Sequence, residues 1–188
     1  SADLPVAWIM MLGLIVAVGP LSIDMYLPAL PSMAEDFGVS TAFMANSVPA
    51  YFLGLVFGQL FYGPFSDRVG RVKPLYMGMI LYVIASIVCA TTDNEYVLFI
   101  GRTFQALGAC VGAVVTRAAI RDRLTAKQTA KAFSIMILVM GLAPILAPSL
   151  GALFLKFFNW PSIFWFLAAF GAVNLLLNKF FFFVCLDE

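Results

Sequence analysis

Two ionisable residues, Asp24 and Arg102, lie inside long stretches of apolar sequence. A charged side chain costs roughly 3 kcal/mol at the centre of a membrane helix, so each is expected to have a partner or a function. A carboxylate held among apolar groups can take up and release a proton, and it can also bind a cation. The sequence therefore predicts an intramembrane site that exchanges a proton or a cation.

Helix geometry places these two residues at similar depths. Asp24 lies eighteen residues after Val6, about 27 Å from the side where the first apolar run begins. Arg102 lies six residues after Tyr96, about 9 Å in from the opposite side. The depths differ by only about 6 Å, which side-chain reach and helix tilt can close, so we expect an Asp24–Arg102 pair. Alternatively, Asp24 marks a helix end and Arg102 extends its guanidinium outward.

Uncharged polar residues near this pair are candidate substrate contacts. Gln105 follows Arg102 by one helical turn, and polar residues also interrupt the apolar sequence of the first two runs. Such residues more often hydrogen-bond one helix to another, and both interpretations stay open. The candidate substrate-binding residues are Tyr26, Asn46, Tyr51, Gln105 and Pro144.

Six long apolar runs are the elements that must position these residues. Hydrophobic residues make up 63% of the 188-residue chain and charged residues only 11%, and about 20 apolar residues suffice to cross a membrane. The chain therefore predicts an all-α membrane protein with one six-helix transmembrane domain over residues 1–188. The first run is expected to be a retained helix rather than a cleaved signal. The predicted spans cover residues 6–30, 41–65, 74–91, 96–116, 132–155 and 162–184.

Basic residues are concentrated in alternate connections between these spans. Three lie between spans two and three and five between spans four and five, whereas the other connections are mainly acidic. Lys and Arg are retained on the cytoplasmic side, so both termini are expected in the cytoplasm of a bacterial-type inner membrane. A lipid or nucleic-acid patch is the alternative, but the alternation favours topology, with membrane lipid and no nucleic acid as the partner.

The chain contains no histidine. This removes the Ser–His nucleophile and most sets of metal ligands. We therefore expect no enzyme, no metal and no organic cofactor.

Four stretches resemble motifs of the major facilitator superfamily. The connection between spans two and three reads Gly63-Pro-Phe-Ser-Asp67-Arg68-Val-Gly70-Arg71 and resembles the superfamily's loop signature, although Phe65 and Val72 depart from it. The first span ends in a motif similar to that of the twelve-span drug:proton antiporters, the Bcr/CflA-like group in particular. That first-span motif covers residues 24–31, and residues 101–108 resemble the fourth-helix motif of the same group. The antiporter motif of the fifth helix is matched by Gly141, Pro144, Pro148 and Gly151.

This resemblance implies half of a secondary transporter that exports lipophilic drug-like compounds in exchange for protons by alternating access. Asp24 and Arg102 would then act in proton coupling, with the proton as coupling ion. Superfamily members contain two six-span halves, each built from two inverted three-helix repeats. The expected partners are therefore a small lipophilic substrate and either a missing C-terminal half or a second copy of the chain as a homodimer.

The resemblance and the local chemistry also assign roles to the loop signature. Asp67 is expected to contact the other half and to cap a helix N-terminus, and Gly70 to allow a tight turn. Arg68 and Arg71 are expected to hold the helix ends together.

Two other functions remain open from the sequence. The same scaffold serves proton-linked uptake or uniport of a small metabolite. From a different class, the chain can be a non-transporting membrane fragment or an assembly module.

Overall fold

The computed structural model describes the backbone of residues 6–186 and the side chains as far as residue 179. Within these residues every regular element is helical, and six segments are long and apolar enough to cross a membrane. This confirms the predicted six-helix membrane bundle. The helices are α1 (Val6–Asp24), a 3₁₀ turn (Leu27–Ala29), α2 (Leu30–Phe37), α3 (Thr41–Met44), α4 (Ser47–Val69), α5 (Val72–Thr91), α6 (Glu95–Arg123), α7 (Ala126–Phe157) and α8 (Trp160–Leu186).

The first span is interrupted where the sequence predicted a continuous helix. α1 ends at Asp24, and the chain passes through the 3₁₀ turn before α2 begins at Leu30. Pro28 has no N–H to donate to the Asp24 carbonyl, and Pro31 likewise cannot donate to the Leu27 carbonyl, so two successive turns lack a hydrogen bond where the regular helix is interrupted. The interruption places Asp24 at a helix end inside the first membrane segment, Val6–Phe37.

α6 lies at the centre of the bundle and packs extensively against α1, α4 and α5. Glycines allow these close approaches: a Cβ atom on Gly54 of α4 would collide with the Thr103 carbonyl oxygen of α6. A Cβ on Gly112 of α6 would lie 2.8 Å from a methyl carbon of Ile15 in α1. Gly54 and Gly112 therefore serve helix packing.

The same pairs of helices pack against each other when the first three spans are exchanged with the last three, although the packing around α6 is more extensive than that around α1. The packing of α4 on α6 corresponds to α7 on α1, and that of α5 on α6 corresponds to α8 on α1. α5 and α8 also pack against each other. Because each repeat has an odd number of spans, the second repeat begins on the side of the membrane opposite to that on which the first begins. This is the arrangement of two inverted repeats.

Helices α4 and α7 leave apolar faces uncovered. Phe57 and Leu60 of α4 are 61% and 70% exposed, and Ile137 and Ile145 of α7 are 70% and 68% exposed. Such faces are stable only against lipid or against further apolar helices.

Candidate functional site

The guanidinium group of Arg102 lies in the interior of the bundle. Arg102 is on α6 and its side chain is fully buried. Its Nη1 donates to the Ser22 carbonyl oxygen of α1 at 2.9 Å and to Oε1 of Gln105 at 2.6 Å. The alternative in which Arg102 extends outward to the membrane surface is therefore wrong.

Aromatic rings enclose the guanidinium. Its Cζ lies 3.9 Å from the ring centroid of Tyr26 and 4.3 Å from that of Tyr51, with Phe164 of α8 farther away at 5.8 Å. The faces of these rings attract a cation and partly replace the water that Arg102 has lost. Both tyrosine hydroxyls have partners, since Tyr26 hydrogen-bonds Ser47 and Tyr51 donates to the Gly19 carbonyl.

Two donor groups of Arg102 remain unsatisfied. Its Nε and Nη2 are buried and have no hydrogen-bond partner. Among the described residues, ion pairs join Arg71 to Asp67 and to Asp122, and none involves Arg102. A buried guanidinium without a carboxylate is costly, because the protein replaces only part of the lost hydration.

The predicted Asp24–Arg102 pair is therefore absent from this conformation. Ser22 and Tyr26, which contact Arg102, are four residues apart and lie on the same side of the chain. Asp24 lies between them, about 200° around a regular helix from either one. Its side chain is only partly buried, so the two residues are separated by direction around the helix rather than by depth.

A chain of buried hydrogen bonds fixes the position of Arg102 from α5. Nε2 of Gln105 donates to Oγ of Ser86 at 2.8 Å, and Ser86 donates to the Tyr82 carbonyl. The Tyr82 hydroxyl lies 2.6 Å from Oγ of Ser22, which donates to the Val18 carbonyl. Ser22, Tyr82 and Ser86 carry no signal in the sequence, because single hydroxyl residues in a membrane helix are ordinary packing residues.

The structure separates the candidate substrate contacts into two groups. Tyr26, Tyr51 and Gln105 surround Arg102 and are almost completely buried, so a substrate reaches them only after a rearrangement. Asn46 is exposed at the start of α4, where its side chain makes no capping hydrogen bond, and Pro144 is exposed on α7. Neither belongs to the Arg102 cluster.

A second charged cluster lies at the end of the bundle where α4, α5 and α6 meet. Arg71 donates from Nη1 to Asp67 at 2.6 Å, and from Nε and Nη2 to Asp122 of α6 at 2.9 and 2.8 Å. Burial acts to lower the pKa of Arg71, but hydrogen bonds and charges from Asp122 and Asp67 outweigh it and raise that pKa. Arg71 therefore stays positive and ties the α4–α5 turn to the end of α6.

The loop signature matches its predicted roles in part. Gly70 has φ of +89°, which confirms a turn that favours glycine. Asp67 does not cap a helix, because it lies within the last turns of α4, and the cap position of α5 is Arg71. Arg68 is exposed in the last turn of α4, and Gly63 has no neighbour within 4 Å of an added Cβ.

Comparison with known proteins identifies the family. The Major Facilitator Superfamily profile matches residues 12–185. The chain belongs to this superfamily. It is 38% identical over 169 residues to the uncharacterized MFS-type transporter YdgK of Bacillus subtilis, and this match covers 89% of the chain and 42% of YdgK. It is 36% identical over 166 residues to the multidrug resistance protein MdtL of Escherichia coli and of Shigella flexneri, with 88% of the chain and 42% of each relative covered.

The matched superfamily relatives are longer than this chain, which spans 42% of their length. Six of the described helical segments are long enough to cross the membrane. The chain is therefore a multi-pass membrane protein that corresponds to an N-terminal half of a superfamily transporter.

The fifth membrane segment of this superfamily chain, α7, continues through both of its prolines. Pro144 and Pro148 lie inside an uninterrupted helix. Gly151 of the same motif is buried, and a Cβ there would collide with the Met25 carbonyl oxygen beside the break in span one. Gly141 is exposed without a close neighbour, so Gly151 is the motif glycine that brings two backbones together.

Proposed function

We propose that the chain is the N-terminal half-unit of a secondary transporter that exports lipophilic compounds in exchange for protons by alternating access. The observation that carries this proposal is the buried Arg102 guanidinium with two unfilled donors, at a depth similar to Asp24 and the break in span one. Maintaining such a charge costs stability, and membrane proteins retain intramembrane charges chiefly where transport uses them. The MdtL relatives, which are named multidrug resistance proteins, support export as the direction.

In this proposal Asp24 carries the proton. With Asp24 ionised, its charge balances that of Arg102, and with Asp24 protonated the site has an excess positive charge. Ser22 and Gln105 hold Arg102 in place. A change of charge at Asp24 therefore moves the backbone at the break in span one rather than the arginine side chain. A cationic substrate and a proton then compete for the same carboxylate.

The exposed apolar faces of α4 and α7 provide the surface for the other half. In the relatives, the remaining length of chain is sufficient for a second bundle. We assign these two faces to that second bundle, with substrate between the halves, where Pro144 and Asn46 remain accessible. Two copies of this chain arranged as a dimer are the other way to complete the transporter.

The proposed orientation follows from the basic connections. Both termini and the Arg71 cluster face the cytoplasm of a bacterial inner membrane, and the α5–α6 connection faces the opposite side. The proposal assigns no catalytic step and no organic cofactor to the chain, and the proton is its coupling ion.

A proton-flux assay with the complete transporter in liposomes tests the proposal. Addition of a lipophilic cation is expected to drive proton movement in the unaltered protein and in Glu35→Gln, whose exposed carboxylate lies outside the site. Asp24→Asn is expected to lose this movement. Undiminished drug-driven proton flux in Asp24→Asn would exclude Asp24 as the carrier, and inward accumulation in everted vesicles without proton exchange would replace antiport by another transport mode.

A further inference from the structure

The side-chain amide of Gln105 lies between Arg102 and Ser86 and bonds to both. Nη1 of Arg102 donates to Oε1 of Gln105 at 2.6 Å, and Nε2 of Gln105 donates to Oγ of Ser86 at 2.8 Å. Gln105 and Ser86 are completely buried, so bulk water does not replace a lost partner at either end. The orientation of this amide therefore decides whether Arg102 meets an acceptor or another donor.

The hydroxyl group of Ser86 is arranged to accept from Gln105. A serine hydroxyl has a single hydrogen, and Ser86 donates that hydrogen to the Tyr82 carbonyl at 2.8 Å. The lone pairs of Oγ are left for the N–H₂ group of Gln105. With the amide turned around, that N–H₂ group would lie against the guanidinium of Arg102, which only donates. Ser86 and Arg102 therefore favour the same orientation of the amide from its two ends.

This orientation determines which edge of the Arg102 guanidinium is open. Nη1 has two hydrogens, which the Ser22 carbonyl and Gln105 accept. Among the described residues, none accepts from Nε or Nη2. These two atoms form the edge with parallel N–H bonds that arginine commonly presents to carboxylates. Arg71 uses the same edge on Asp122, with bonds of 2.9 and 2.8 Å from Nε and Nη2.

We propose that Ser86 is a positioning residue for Arg102. Its hydroxyl holds the Gln105 amide so that the amide oxygen fills Nη1, and the guanidinium then presents its Nε–Nη2 edge to an acceptor that arrives during transport. Ser86 acts on Arg102 through Gln105. The inference rests on the proposed function, in which Arg102 takes part in proton coupling, but the hydrogen-bond pattern can be measured without transport.

Solid-state NMR of the complete transporter in lipid, with isotope-labelled arginine, tests the hydrogen-bond pattern. The Arg102 signals are identified by their loss in Arg102→Lys. In the unaltered protein we expect separate Nη1 and Nη2 signals, because two hydrogen bonds hold Nη1 against rotation about the Nε–Cζ bond. In Ser86→Ala the amide loses its acceptor and its fixed orientation, so exchange between the two signals should become about tenfold faster.

Ser134→Ala is the matched control for this measurement. Ser134 lies on α7 and donates to the Ala130 carbonyl, also at 2.8 Å, so the control loses the same kind of hydroxyl-to-backbone bond. Its side chain is exposed, and its replacement should leave the Arg102 signals unchanged. Loss of the bond to the helix backbone would by itself affect both variants alike.

A second substitution tests whether Ser86 acts through the orientation of the amide. A carboxylate at residue 105 presents an oxygen on either side, so in the Gln105→Glu background Arg102 no longer depends on the hydroxyl. Ser86→Ala should then leave the Nη1 and Nη2 signals separate. If Ser86→Ala alone unfolds, the double variant should fold, and its free energy of unfolding measures the rescue.

The liposome assay measures the consequence for transport. In Ser86→Ala the maximal rate of drug-driven proton movement per folded protein should fall about tenfold, as expected for a lost hydrogen bond to a charged group. The KM for the lipophilic cation should stay within about twofold, because in the proposed function the cation binds Asp24. If the unaltered protein moves no protons, the proposed function fails, while the NMR result still decides the role of Ser86.

Four results would overturn the inference. These are unchanged exchange of the Arg102 signals in folded Ser86→Ala, the same acceleration in Ser134→Ala, acceleration by Ser86→Ala in the Gln105→Glu background, and an undiminished maximal rate in Ser86→Ala when the unaltered protein is active. Unfolding of the double variant would likewise show that Ser86 supports the bundle by a route other than the amide.

Discussion

At the scale of single residues, Arg102 is the side chain whose environment is least explained by stability. One of its nitrogens donates two hydrogen bonds, while Nε and Nη2 donate none. In place of water, the rings of Tyr26 and Tyr51 offer only the partial negative charge of their faces, and such a contact is worth about 2 kcal/mol when desolvated. Several kcal/mol of lost hydration remain uncompensated, so the arginine is retained at a cost that a function must justify.

Replacement of Arg102 by methionine is expected to separate stability from function. Arg102→Met removes the buried charge while filling similar space, so the free energy of unfolding should rise by about 1–3 kcal/mol. Drug-driven proton movement should be lost in the same variant. Thermal unfolding of the complete transporter in detergent measures the first effect, and the liposome assay measures the second.

Arg102→Lys is the matched control because it keeps the charge. It should show no gain in stability, because an ammonium group is more strongly hydrated in water than a guanidinium and therefore loses at least as much hydration when it is buried. A lower unfolding temperature in Arg102→Met would show instead that the bonds to Ser22 and Gln105 outweigh the cost of burying the charge.

The depth of the site was predictable from the sequence, but its contacts were not. Counting residues placed Asp24 and Arg102 at similar depths, because helix rise is nearly constant. Contacts depend on direction around the helix axis, which requires knowledge of the neighbouring helices. Ser22, for example, contacts Arg102 through its backbone carbonyl. Every residue has such a carbonyl, so no sequence motif indicates this contact.

At the scale of helices, two glycines bring the partly uncovered helices α4 and α7 against their neighbours. A Cβ on Gly54 would collide with the Thr103 carbonyl oxygen of α6, and one on Gly151 with the Met25 carbonyl oxygen after α1. Thr103 and Met25 directly adjoin Arg102 and Tyr26 in sequence. Both helices are therefore closest to the core at the depth of the buried guanidinium.

Substitution of Gly54 by alanine should weaken the bundle. The new methyl group meets a backbone oxygen rather than a flexible side chain, so the helices must move apart, at an expected cost of about 1–3 kcal/mol. Gly63→Ala on the same helix is the control, because its Cβ meets nothing within 4 Å. The control should be neutral or gain up to about 1 kcal/mol from helix propensity. Equal unfolding temperatures for the two variants would contradict the close contact.

The number and type of the helices were predictable because apolar length alone determines a membrane span. The break after Asp24 was missed, although Pro28 and Pro31 carried the signal. Prolines are tolerated in membrane helices, so their presence does not by itself distinguish a bent helix from a broken one. α7 shows the other outcome, since it continues through Pro144 and Pro148.

At the scale of the whole molecule, charge distinguishes the two ends of the bundle. Eight basic residues lie in the α4–α5 connection and the adjoining ends of α4, α5, α6 and α7, at the end of the bundle where Arg71 binds Asp122. At the other end, Asp93 lies in the α5–α6 connection and Glu95 is the first residue of α6. The sequence predicted this separation by counting alone, and it sets the proposed orientation.

Cysteine labelling of intact cells measures that orientation. With a membrane-impermeant maleimide, Asp93→Cys should react in intact cells and Lys127→Cys only after permeabilisation. Cys89 and Cys110 are buried and should contribute little background, and Cys185 is replaced by serine in both proteins. The reverse pattern would contradict cytoplasmic termini.

The glycine contacts of α4 and α7 can also serve as pivots about which these helices tilt. A contact near one end of a rod acts as a fulcrum, and displacement grows with distance from it. Val69 lies about 22 Å along α4 from Gly54, and Ala126 about 37 Å along α7 from Gly151. A tilt of about 10° at the two fulcrums would move these distant ends by about 4 and 6 Å, while the surroundings of Arg102 stayed nearly still.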